Sequence, residues 1–155
     1  MLKAITPKLE ELSFRQALLA DEETMQYNHQ YGGTIEFPEE KWSDWHQRWV
    51  DQESGERYYA FLYSEEKNAY IGEIAFYYDE SEQAYITNII VHSKYRGCGY
   101  GKEGLMLLCK AAEERGITAL CDNIAVDNPS INLFMKLGFH EIWRNQEVVM
   151  VKKEL

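Results

Sequence analysis

The apolar residues change their period along the chain, and the changes mark out the elements. Before residue 50 they recur at helical spacing. Thr6 and Pro7 read as N-cap and first helical position, opening a helix to about Ala20 that buries Leu9, Leu12, Phe14, Ala17, Leu18 and Leu19. A short turn over 21–24 leads into Tyr27-Asn-His-Gln-Tyr-Gly-Gly33, a polar-aromatic loop. Pro38 starts the next helix, and its Trp42, Trp45 and Trp49 stripe reads as core. From Arg57 onward, three apolar, β-branched and aromatic runs over 57–63, 69–78 and 84–91 are separated only by polar turns at 64–68 and 79–83. Connections this short require antiparallel neighbours.

Downstream the pattern alternates again. A glycine-rich turn leads into helical spacing from about Gly101 to Arg115, with Leu105, Met106, Leu108, Cys109, Ala111 and Ala112 on one face. Residues 117–121 form a further strand, Asn128 and Pro129 open a short helix stopped by Gly138, and 147–152 closes the sheet. The expected fold is α+β: a mixed, mostly antiparallel central sheet flanked by helices on both faces, as one domain over residues 1–155 without repeats.

Composition narrows the function. A net charge of −10 argues against nucleic acid or an anionic membrane as partner and favours a cationic ligand. No apolar run is long enough for a membrane span or shaped like a secretion signal, so a cytoplasmic protein is expected. Cys98, Cys109 and Cys121 are odd in number and lack C-x-x-C spacing, and His29, His46, His92 and His140 are scattered. Neither a disulfide framework nor a metal site is expected.

The informative stretch is the run over 84–91 with the turn that follows. A strand, a glycine turn and a helix start together make an anion site, because the first amides of a helix have no partner and the dipole favours negative charge. Lys94, Arg96 and Lys102 gather there against the single opposing charge of Glu103. Three phosphate motifs compete. The P-loop pattern fails at Arg96 and Glu103. The dinucleotide pattern G-x-G-x-x-G is met by Gly99-Tyr-Gly-Lys-Glu-Gly104, with Asp122 downstream, but seven residues separate Val91 from Gly99 and the preceding strands form a meander. The third, Arg-x-x-Gly-x-Gly, is met by Arg96, Gly99 and Gly101 after Ile89-Ile-Val91. This resembles the signature of the GNAT acyltransferase superfamily. Asp127-Asn-Pro-Ser-Ile-Asn-Leu-Phe-Met-Lys-Leu-Gly-Phe139 resembles the family's second helix, so the likeness covers about the second half of the chain.

The resemblance implies an N-acetyltransferase that moves an acetyl group from acetyl-CoA to a primary amine of a small molecule, by direct attack in a ternary complex. A protein N-terminus or lysine is the alternative acceptor, and a non-catalytic acyl-CoA binding or sensing module is the reading of another class. It further implies that Arg96, Gly97, Cys98, Gly99, Tyr100, Gly101, Lys102 and Asn128 hold the coenzyme. Ile89, Ile90 and Val91 would pair with the pantetheine arm through their backbone, with the Val91 amide as oxyanion donor. Tyr27, Asn28, His29 and Tyr31 would border the acceptor, and a homodimer is frequent in the family. The strand carboxylates common in the family are replaced by Thr87 and Asn88. Glu73, inside an apolar strand, is the first candidate base, followed by Asp122 and His29. Phe134 stands where many members carry a tyrosine that protonates the departing thiolate, so water or another tyrosine would have to substitute.

Overall fold

In the computed structural model, residues 1–51 and 55–155 are described, apart from the side chains of His29, Gln30 and Tyr31. The strands are β1 (Leu2–Ile5), β2 (Arg57–Ser64), β3 (Ala69–Asp79), β4 (Ala84–Val91), β5 (Ala119–Ala125), β6 (His140–Arg144) and β7 (Val148–Glu154). They form one sheet in the order β1-β2-β3-β4-β5-β7-β6. The helices are α1 (Leu12–Ala20), α2 (Trp42–His46), α3 (Tyr100–Glu114) and α4 (Ser130–Lys136). Among the described residues only the pairing of β4 with β5 is parallel. This is the mixed, mostly antiparallel α+β sheet that the meander and the later strands predict.

Strand alternation sorts the core into two layers. Leu62, Ile74, Phe76, Leu120 and Ile124 pack with Leu105 and Leu108 of α3 and Phe134 of α4. On the opposite face, Tyr59, Phe61 and Ala75 pack with Leu12 and Leu19 of α1 and Trp42 and Trp45 of α2. Each fully buried leucine contributes roughly 1.5–3 kcal/mol by leaving water. Close approach of α3 explains a glycine inside that helix: a Cβ on Gly104 would lie 2.9 Å from Leu62 Cδ1 and 3.0 Å from Ile89 Cδ1.

Four boundaries differ from the sequence expectation. Leu2–Ile5 is a strand paired with β2, so Thr6 and Pro7 serve the turn out of it and not a helix cap. The first helical turn begins instead at Leu9, where Glu11 Oε1 accepts from the Lys8 amide at 2.8 Å. The Pro38 helix is a 3-10 turn, the short α2, and a π turn over Gln47–Asp51. Strand β5 starts later than expected and continues through Asp122 to Ala125, because every residue from Ala119 to Ala125 is paired with β7. The edge of the sheet beyond β7 is β6, with every residue exposed, so β7 lies inside the sheet and does not close it.

Candidate active site

Where β4 meets β5 the sheet comes apart. The two strands share one registered pair, Ile86 with Cys121, and diverge beyond it. His92 N donates to Ile71 O at 2.8 Å, so the strand's alternation directs the amides of Ile90 and Asn88 toward β3 and those of Ile89 and Val91 toward β5. The divergence opens a cleft of about 540 Å³ that passes through the sheet between Thr87–Val91 on one side and Asp122–Ala125 on the other.

One mouth of the cleft is the glycine turn. Gly97 and Gly99 have φ of 80° and 82°, the left-handed region that a side chain would strain. Gly99 precedes α3, and Glu103 N returns to Gly99 O at 3.2 Å as the first helical bond. The amides of Tyr100, Gly101 and Lys102 therefore precede the helix's hydrogen-bond ladder. Gly101 also lets α4 come close, since its Cβ would sit 3.1 Å from Leu133 Cδ2. Asn128 Oδ1 accepts from Ser130 N at 2.9 Å and so starts α4 beside the same mouth.

The other mouth is roofed by the segment after α1. Arg96 Nη2 and Nη1 donate to the carbonyls of Thr24 at 2.8 Å and Glu23 at 3.3 Å. Ser93 N donates to Thr24 Oγ1 at 2.9 Å, while Ser93 Oγ and Thr24 Oγ1 both donate to Asp21 Oδ2, at 3.0 and 2.5 Å. Hydrogen bonds from Thr24, first from its side chain, then its amide, hold the Asp21 carboxyl below its usual value. This latch fixes Met25, Gln26, Tyr27 and Asn28 along the cleft, and Asn28 Nδ2 closes its own turn onto Gly33 O at 2.7 Å.

Behind the cleft on the α1 side lies a buried polar cluster. Glu73 is 0% exposed; Oε1 accepts from Tyr59 Oη at 2.5 Å and Oε2 from Asn88 Nδ2 at 2.8 Å. Arg15 Nε lies 3.2 Å from Oε1 but at an angle that makes no hydrogen bond, so its attraction is Coulombic. The guanidinium carbon sits 4.4, 4.6 and 5.7 Å from the ring centres of Trp45, Phe37 and Tyr59. Burial, and then the Glu73 charge, hold the Tyr59 hydroxyl well above its ordinary value, which keeps it a donor.

Asp122 is a different carboxyl. It lies on β5 at the cleft wall, with part of its surface open to the cleft and protein enclosing the rest. Desolvation pushes it up to about 8, against hydrogen bonds from the Thr87 hydroxyl and the Asn123 amide. The Thr87 hydroxyl also reaches Cys121 O at 3.3 Å.

Residues 16–139 match the acetyltransferase (GNAT) family. The chain belongs to that family. No curated protein matches it in sequence, but solved structures share its fold. The spermidine N-acetyltransferase of Vibrio cholerae, solved with CoA and spermine, is 15% identical with TM-score 0.77 over 99% of this chain and 95% of that one. The ribosomal-protein-alanine N-acetyltransferase of Brucella melitensis is 19% identical with TM-score 0.76 over 100% and 99%. A paia N-acetyltransferase of Thermoplasma acidophilum, solved with coenzyme A, is 14% identical with TM-score 0.70, again over 100% and 99%. This chain is thus an acyltransferase of the GNAT fold, and coenzyme A is the cosubstrate type of its structural neighbours.

Within this GNAT frame the expected residues fall as follows. Ile89, Ile90, Val91, Arg96, Gly97, Gly99, Tyr100, Gly101 and Asn128 line the cleft, as do Tyr27 and Asn28. Cys98 and Lys102 are exposed beside the turn and do not line it. The side chains of His29 and Tyr31 lie outside the described residues. Arg96 is tied to the roof, a contact that spacing could not reveal. The candidate base Glu73 has no solvent contact and does not itself line the cleft; it reaches the cleft wall through Asn88. Among the described lining residues Asp122 is the single carboxyl. The sequence signal for it was an acid between Leu120 and Ile124 on a strand's apolar face.

Proposed function

We propose that this chain transfers an acetyl group from acetyl-CoA to a primary amine of a small, cationic acceptor, by direct attack within a ternary complex. The observation that carries the reading is the through-sheet cleft, with the bare start of α3 on one face and the latched roof on the other. The free amides after Gly99 grip the pyrophosphate. The pantetheine arm runs along β4 as an added strand, paired with the outward amides and carbonyls of Ile89 and Val91. An outward amide of that pair then donates to the thioester oxygen as charge develops there, Ile89 being the one nearer Asp122, which stands level with Thr87. Such a contact is worth about 10²–10³ in rate where such donors have been removed.

The acceptor enters from the α1 side, past Tyr27, Asn28 and Asn88. Glu73 Oε2 accepts from Asn88 Nδ2, which turns the amide nitrogen inward and leaves Oδ1 to take a hydrogen bond from the amine. Glu73 is on this view a positioning residue for Asn88. The net charge of −10 draws cations toward the protein, and a V. cholerae neighbour acts on spermidine, so polyamines head the acceptor panel.

The test is thiol release from acetyl-CoA with spermidine, other primary amines, and peptides ending in alanine or carrying lysine. Turnover with a small amine supports the reading. Turnover with peptides alone replaces it by the macromolecular acceptor. Saturable coenzyme binding without thiol release for any amine makes the chain a sensor and overturns it.

A further inference from the structure

The reaction proposed above ends by expelling a thiolate, whose sulfur needs a proton. The side of the sheet on which a cleft residue stands decides which partner it can serve. On β5, Leu120 and Ile124 belong to the layer under α3 and α4, whereas Cys121 packs with Ile86 and Met150 on the opposite face. Asp122, by alternation, shares its face with Thr87, Phe134 and the start of α3. Asn88, Tyr27 and Asn28 border the cleft from the other face. A thioester whose phosphates rest at the start of α3 brings its sulfur into the gap on the Asp122 side, and the amine arrives from the Asn88 side. We propose that Asp122 is the general acid that protonates the departing thiolate.

The proposal rests on the acetyltransferase reading, and its atoms balance. The amine nitrogen bonds to the carbonyl carbon; the C–S bond breaks and its electron pair goes to sulfur. The Asp122 carboxyl proton passes to that sulfur, giving the free thiol. The proton that the nitrogen sheds on becoming an amide returns through cleft water to the Asp122 carboxylate.

The surroundings suit the role. A carboxyl held up to about 8 is protonated at neutral pH and close to an ordinary thiol at about 8.5, the matched condition for proton transfer. The Thr87 hydroxyl steadies it from β4. Among the described lining residues the other groups that titrate or carry charge are Tyr100 from α3, Tyr95 and Arg96 from the turn, and Tyr27 from the roof. Arg96, the one cation among the described lining residues, has its guanidinium on the carbonyls of Glu23 and Thr24. From α4 the cleft receives Leu133 and Phe134, both apolar, and at the helix's first position Ser130, whose amide is tied to Asn128 Oδ1 at 2.9 Å; the Phe134 position itself offers no hydroxyl.

The test compares wild type with Asp122→Asn. Calorimetry with coenzyme A is expected to give dissociation constants within about threefold, while kcat at pH 7 falls by about 10²-fold. An acetyl-CoA analogue with an aryl thiol, whose thiolate leaves unaided, should restore at least about tenfold of that loss in the variant and give wild type no comparable gain. Carboxyl ¹³C NMR of aspartate-labelled protein with coenzyme A bound should show one protonated aspartate at pH 7 that is missing from the variant. An ionised Asp122 at pH 7, a kcat within threefold of wild type, or an equal loss with both donors overturns the assignment. If wild type releases no thiol with any amine, the acetyltransferase reading falls and takes this proposal with it. If turnover persists and only the Asp122 results fail, the reading stands without it.

Discussion

The Asp122 carboxyl makes a prediction about stability that needs no substrate. It stands at about 8 in the fold and at an ordinary 3.8 when unfolded. Between those values the folded chain holds a proton that the unfolded chain has released, so the contribution of Asp122 to stability falls as pH rises from about 4 to about 8 and then levels off. A displacement of about four units at 1.36 kcal/mol each sets a ceiling of about 6 kcal/mol, which contact with cleft water lowers to roughly 2–4 kcal/mol. Asn in place of Asp keeps the shape and the capacity to bond Thr87 but cannot ionise. Urea unfolding of wild type and Asp122→Asn at half-unit steps from about pH 5 to 9 therefore isolates the group, since every other titration cancels in the difference. The variant's advantage should grow steadily up to about pH 8 and stay constant above it. Parallel curves, or an advantage that shrinks with pH, would refute the desolvated carboxyl.

Three further outcomes follow from contacts described above. Arg15→Met removes the cation from Glu73 and should cost about 3–5 kcal/mol in urea unfolding, most of it recovered when Glu73→Leu is added. Gly99→Ala forces a side chain into φ 82° and should cost roughly 1–2 kcal/mol in stability, with a measurably weaker coenzyme A dissociation constant by calorimetry. Thr24→Val deletes the hydroxyl that joins Ser93 and Asp21, and should raise the amine KM severalfold, read from initial rates, while the coenzyme constant changes little.

Much of this was legible from residues alone, and the failures have physical causes. The strand Ala84–Val91 and the glycine turn could be read because a long apolar run and a cluster of glycines are local signals. Strand β6, His140-Glu-Ile-Trp-Arg144, carries no such signal: it is an exposed edge whose pairing with β7 alone makes it a strand. Asp122 is hard to read from sequence because the apolar run of β5 breaks after Cys121, which hides the alternation that places an acid on an apolar face. Glu73 stands inside an apolar strand in the sequence, but its partner Arg15 lies 58 positions away, and only the packing of α1 on β3 brings them together. The latch from Asp21 and Thr24 to Ser93 and Arg96 is likewise a tertiary event.

The single Ile86–Cys121 pair has a mechanical consequence. Strands β1 to β4 form one hydrogen-bonded panel and β5, β7 and β6 another, each complete within itself. The panels can swing about that pivot without breaking a ladder bond in either one. Cleft width is then set by side-chain packing and not by ladder bonds, since Leu105 and Leu108 of α3 share one buried layer with Leu62 and Ile74 of the first panel and Leu120 and Ile124 of the second.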